Sequence, residues 1–117
     1  MEGSQADPAG LATFERVLGR PHGKPLTGIR ELTINHLFAH VWNRPGLSMR
    51  DRSLITIALL AAAGRPDQLR SHVRGARSRG MTDDEIAEVM IHTAHYAGWP
   101  AGVAGQAIAD EVAAEDG

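Results

Sequence analysis

The chain has 117 residues, fourteen acids against twelve bases for a net charge of −2, 43% hydrophobic residues and no cysteine. That length carries one self-standing core and not two. The missing thiols exclude disulfides, zinc–thiolate and iron–sulfur sites and thiol nucleophiles, and the charge balance offers no general attraction to nucleic acid or to an anionic membrane.

In chain order, Asp7 before Pro8 reads as an N-cap with proline at the first helical position, opening a helix that Gly19 stops after Leu18. Residues Arg20 to Pro25, with two prolines and Gly23, form a loop. Thr27 caps a helix through Trp42 that ends before Arg44-Pro45-Gly46. Ser48 with Asp51 opens a buried helix containing Leu54 to Leu60 and closed by Gly64. Pro66 starts the next helix and Gly80 terminates it. Thr82 and Glu85 make a capping box for the helix that ends at Gly98, and Pro100 begins the last, which frays into Glu115-Asp116-Gly117.

No strand pattern is present, so the fold expected is all-α, a single-domain bundle of about six helices over residues 10–114, with tails at 1–9 and 115–117. The first 25 or so residues read as an arm over a neighbour or a partly disordered segment. Gly102 and Gly105 each weaken the last helix by roughly 1 kcal/mol relative to alanine, which close helix–helix approach would offset. The first residues lack a basic start and an apolar stretch, and the longest apolar run, Leu54 to Ala63, is far shorter than the eighteen or so residues a bilayer needs. A cytoplasmic protein is expected.

Polar chemistry has several candidate seats. On the helix after Pro66, Leu69, Val73 and Ala76 form the apolar stripe and His72 flanks it, as a boundary histidine on a backbone carbonyl or as a functional group. Arg70, Arg74 and Arg77 share another side and read as a solvated face. On the helix after Thr82, Ile86, Val89, Met90, Thr93 and Ala97 point inward. Glu88, His92 and His95 lie opposite, at a spacing that suits a metal, solvent exposure or a subunit contact. His36 and His40, one turn apart, are a second ligand-spaced pair, equally suited to proton transfer at neutral pH, with boundary packing the ordinary role of His36.

Six blocks in order then carry a resemblance: Trp42-Asn43-Arg44-Pro45-Gly46-Leu47, Arg52-Ser53-Leu54, His72-Val73-Arg74-Gly75-Ala76, Gly80, Glu85-Ile86-Ala87-Glu88-Val89 and Tyr96-Ala97-Gly98-Trp99-Pro100. Together they resemble the carboxymuconolactone decarboxylase family over about Gly10 to Val112. The resemblance implies an all-helical fold of the alkylhydroperoxidase D-like kind, assembled as homotrimers or hexamers with sites near subunit interfaces. The superfamily's thiol peroxidases carry Cys-x-x-Cys ahead of a histidine; aligned on His72, those positions hold Arg65 and Gln68, and without a thiolate that chemistry is excluded. Where family decarboxylases read Trp-Gly-Glu-Val-Trp, this chain has Phe38-Ala39-His40-Val41-Trp42, and His95 replaces a small apolar residue.

The family reaction is decarboxylation of a small carboxylated lactone without cofactor or metal. The resemblance assigns His72 as donor to the lactone oxygen or as the acid, His40 as a second proton-transfer group and Arg44 as clamp on the retained carboxylate. Trp42, Arg74, Tyr96, Trp99 and His36 are the expected substrate-binding residues. The partner is then a small anionic carboxylate. The alternatives are isomerisation, dehydration or cyclisation of another carbonyl acid, which the histidine at position 40 favours, a non-catalytic oligomeric binding protein, and a metal enzyme.

Overall fold

A computed structural model of the protein describes residues 5–115. Six α-helices and one π-helix build it, and there is no strand among the described residues. The expected all-α class holds. Residues 1–4 of the N-terminal tail, and Asp116 and Gly117 of the C-terminal one, lie outside the described residues.

Helix α1 (Pro8–Leu18) starts where Asp7 accepts a hydrogen bond from the Ala9 N–H at 2.9 Å and stops at Gly19, φ 74°. It is no arm over a neighbour. Thr13, Phe14, Val17 and Leu18 are buried within the chain's own fold. A Cβ at Gly10 would fall on the Ile34 backbone, and one at Gly75 would lie 2.7 Å from Leu18 Cα. These two glycines let α1 lie directly on its neighbours on both sides.

The segment expected as one helix from Thr27 to Trp42 is built differently. It begins after Gly28 (φ 59°) with no side-chain cap, and Thr27 contributes only its carbonyl, to the Arg30 N–H. One turn, α2 (Ile29–Leu32), passes into a π-helix, π1 (Thr33–Val41), whose register continues in the Trp42 N–H bond to the Leu37 carbonyl, five residues back. Asn43 supports this wider end: its Nδ2 donates to the Phe38 and Ala39 carbonyls, each at 3.1 Å, and to Thr13 Oγ1 at 2.9 Å. Loosened carbonyls at a helix end need such donors.

Helix α3 (Met49–Ala63) is capped by Ser48, whose Oγ accepts from the Asp51 N–H at 3.0 Å, and ends at Gly64, φ 68°. It is not buried all round as expected. Ser53, Ile57 and Ala61 face the core at four-residue spacing, while Ile55 and Leu59 are 46% and 62% exposed. Within one chain α4, α5 and α6 cover a single side of it. Helix α4 (Pro66–Ser78) follows, then α5 (Asp83–Ala97), with the expected reciprocal capping box of Thr82 and Glu85. Along α5, Ile86, Met90, Thr93 and Ala94 are buried; Ala97, expected inside, is exposed, and Ala94 takes its place.

Helix α6 (Trp99–Glu115) starts one residue before Pro100. Gly102 and Gly105 are the expected close-approach positions: a Cβ there would stand 2.6 Å from Ala94 Cβ and 2.5 Å from Met90 Sδ. Glu115 does not fray. It closes the helix and takes a two-pronged bond from Arg74, at 2.7 and 2.6 Å. The Arg70, Arg74 and Arg77 row is accordingly more than a solvated face: Arg70 bonds Glu111 and Asp67, and Arg77 bonds Asp83, so the row ties α4 to α6 and to the start of α5.

Two hydrophobic clusters result. Ile57, Leu69, Val73, Ile86, Met90 and Val112 centre the one inside α3–α6. Phe14, Val17, Leu26, Ile34, Phe38 and Trp42 form the other, between α1 and π1. The seam between them is where α1 crosses α4.

Candidate functional site

His72 stands at that seam. Its position beside the buried Leu69–Val73–Ala76 stripe leaves it half-buried, with its ring stacked on buried Trp42 at 6.0 Å and 20°. Trp42 stacks on Phe38 at 5.8 Å, and Phe38 meets the Phe14 ring edge-on at 5.2 Å. Phe14 in turn takes the His22 ring at 5.0 Å and the Arg20 guanidinium at 5.6 Å. A continuous column of rings therefore links α4 to the loop after α1.

The carbonyl partner expected for a boundary histidine is absent: His72 Nδ1 is buried without a hydrogen bond. Burial, and secondarily the positive charge of Arg79, hold the imidazole's pKa down at about 4, so it is neutral at pH 7. Arg79 itself is held by Ser53 Oγ at 2.6 Å and the Val17 carbonyl at 3.3 Å, and burial lowers its pKa as well. Neither Arg79 nor Arg52 has an ion pair among the described residues, and both leave a buried Nε unpartnered.

This predicts a measurable pH response. The unfolded chain protonates His72 near pH 6.5, the folded chain only near 4, so between those values the unfolded state binds more protons and stability falls as pH falls. The His72 contribution is on the order of 2 kcal/mol lost between pH 7 and 4.5. It should be missing from His72→Gln in urea unfolding at the two pH values. In proton NMR the His72 ring signal should titrate near 4, and a midpoint near 6.5 would refute the burial argument.

A cleft of about 260 Å³ opens against His72, lined also by Leu18, Arg20, Asp67, Gln68 and Ser71. Gln68, Ser71 and His72 are three and four residues apart on α4 and so share a face. Gln68 was met in the sequence only as the place where thiol relatives keep a cysteine; Ser71 and Asp67 drew no attention, although helical spacing from His72 pointed to them. Arg20 sits in a loop, where no periodicity could reveal it.

The other expected site residues stand elsewhere. His36 and His40 are exposed on π1 with ring centres 6.3 Å apart, so the boundary packing expected of His36 does not occur. Arg44 is exposed in the turn after π1, its carbonyl accepting from Arg52 at 3.3 Å. Arg74 is engaged by Glu115 on the wall of a separate polar cleft with Arg77 and Asp83. Tyr96 is 83% exposed and stacks on His92, while Trp99 is 62% exposed and edge-on to His95. Of the residues singled out in the sequence, one chain brings together His72 and Trp42. Glu88 and His92 flank an apolar groove between α3 and α5, and no group of three or more His, Asp or Glu side chains among the described residues is placed to hold a metal ion. No helix there is long and apolar enough to cross a membrane.

A bundle with a second small helical layer, meeting at His72 beside a polar cleft, defines an all-α domain. The chain belongs to the carboxymuconolactone decarboxylase family, whose profile matches residues 28–111. It is 38% identical to the 4-carboxymuconolactone decarboxylase of Acinetobacter baylyi over 96% of this chain and 90% of that one. It is also 39% identical to the nitrosuccinic acid decarboxylase of Metarhizium robertsii, over 61% of this chain and 50% of the relative. An uncharacterised 15.0 kDa protein of Paracoccus denitrificans is 37% identical over 68% of this chain and 60% of its own length.

Proposed function

We propose that this protein is a cofactor-independent decarboxylase of a small lactone carrying two carboxylates, of the 4-carboxymuconolactone type. The observation that carries the reading is a half-buried imidazole, neutral at pH 7, lining a polar cleft, in a chain so similar to a relative of that name. In the reaction the bond from the ring γ-carbon to the departing CO₂ breaks. Its electron pair moves through the ring double bond onto the lactone carbonyl oxygen, and the resulting dienolate takes a proton on carbon.

Because His72 is neutral at pH 7, it serves first as an N–H donor to that oxygen and not as a charged acid. Negative charge developing on that oxygen as CO₂ leaves strengthens the hydrogen bond the N–H donates to it. The stack on Trp42 keeps the ring in one orientation. His36, His40, Tyr96 and Trp99 stand on exposed faces, so their part in this reading runs through a subunit contact in a homotrimer or hexamer; Arg44, exposed in the turn after π1, does not line the His72 cleft within one chain. The exposed Ile55, Leu59 and Val103 support self-association. Arg74 keeps its role in pairing with Glu115. A cytoplasmic location belongs to the same reading.

The Metarhizium robertsii relative favours a second reading, an acyclic nitro acid as substrate. The two chemistries share a requirement: a carboxylate is lost from a carbon whose electron pair passes, directly or through a double bond, to an acceptor oxygen. The test is CO₂ release from 4-carboxymuconolactone and from nitrosuccinate by the purified chain. We expect one CO₂ per substrate consumed, without added metal or cofactor. Consumption without CO₂ would instead support the isomerase or cyclase alternative, and no consumption of either the binding-protein one.

A further inference from the structure

We infer that Arg20 is the guanidinium that receives the retained carboxylate of the substrate in the His72 cleft. The inference deepens the decarboxylase reading and rests on it for the identity of the ligand. Four observations converge. Arg20 and His72 line the same cleft, which gives one small anion access to both. Arg20 has no ion pair among the described residues, while the other charged group of the cleft, Asp67, is bonded by Arg70 at 3.1 Å. The uncompensated charge in the lining is therefore positive. The Arg20 guanidinium lies 5.6 Å from the centre of the Phe14 ring, a cation–π contact that steadies it without occupying its fork of donors. Leu18 supplies an apolar wall in the same cleft.

This division suits decarboxylation. The carboxylate that stays is best held by a charge-assisted, two-pronged bond. The one that leaves is best left against apolar surface, since stabilising it in the ground state slows the step. Gln68 and Ser71, neutral donors on the same face of α4, add orientation without adding charge. Residue 20, in a loop, is thereby expected to set which acids the site accepts.

The test uses the whole chain, the saturated lactone (5-oxotetrahydrofuran-2-yl)acetate and its uncharged methyl ester, with binding followed by NMR at the His72 ring. Wild type should bind the acetate and discriminate against the ester. Arg20→Gln should weaken acetate binding at least about tenfold and erase the discrimination. Arg20→Lys, which keeps the charge and loses the planar fork, should fall between. Lys24→Gln, an equal charge change in the same loop, should bind as wild type does. In turnover the Arg20→Gln defect should appear chiefly in KM. Equal binding by Arg20→Gln and Lys24→Gln, or no preference for the acetate, overturns the inference, and CO₂ release by wild type would then leave the decarboxylase reading standing. Arg20-dependent binding in a wild type that releases no CO₂ supports the clamp and sinks the decarboxylase instead.

Discussion

Gly75→Ala should lift α1 off α4 and cost about 3 kcal/mol or more, the range of severe overpacking in a closed interface. At Gly75 the missing side chain is occupied by the backbone of Val17 and Leu18, and a Cβ would stand 2.7 Å from Leu18 Cα and closer still to the Val17 carbonyl. Backbone cannot swing aside as a flexible side chain does, so the whole of α1 must shift. That shift would strain the packing of Phe14, Val17 and Leu18 and the Arg79 bond to the Val17 carbonyl. It would also open the cleft, since Leu18 is part of its wall. We expect a melting temperature lower by roughly 10 °C or more, with amide exchange in α1 accelerated ahead of α3–α6. Gly46→Ala is the internal contrast: nothing lies within 4 Å of its Cβ, and stability should stay within about 0.5 kcal/mol of wild type. A Gly75→Ala protein as stable as Gly46→Ala would show that the α1–α4 crossing is looser than described.

His72→Phe should separate stability from activity. Phenylalanine keeps a ring on Trp42 and fits the half-buried site, while removing the buried, unpartnered Nδ1. A buried polar atom without a partner costs roughly 1–3 kcal/mol, so the variant should be at least as stable as wild type. Its decarboxylation rate should nevertheless fall about a hundredfold or more, because the donor to the developing oxyanion is gone. The loss should appear equally in kcat and kcat/KM, the mark of an interaction made in the transition state. Unchanged turnover would remove His72 from the mechanism. A destabilised variant would show that the seam needs the imidazole for packing.

How much of this was legible beforehand follows the range of the forces involved. Helix ends announced by local chemistry were readable: Asp7 with Pro8, Ser48, the Thr82–Glu85 box and the glycines at 19 and 64 act over three or four residues. So were Gly102 and Gly105, because glycine inside a helix has to be offset by close approach. The π-helix was not. Buried Ile34, Phe38 and Trp42 recur every four residues, which fits an α-helix as well, and the deciding donors of Asn43 reach partners that include Thr13, thirty residues away. The arginine row of α4 looked solvated because its acids, Glu111 and Glu115, belong to a helix some forty residues on.

The candidate site divides along the same line. His72 and Trp42 could be named from the chain because they stand in family blocks, and Gln68 and Ser71 were within reach of helical spacing. Arg20 was not, since a loop residue has no period and its approach to His72 depends on α1 crossing α4 at Gly75. Nor could the chain disclose that the imidazole is neutral: a depressed pKa comes from burial and from the charge of Arg79, both products of packing. Order of elements, their caps and the all-α class were thus matters of short-range bonding that the amino acids carry with them. Which side chains share a cleft, and in what charge state, was decided only when distant segments came together and displaced the water between them.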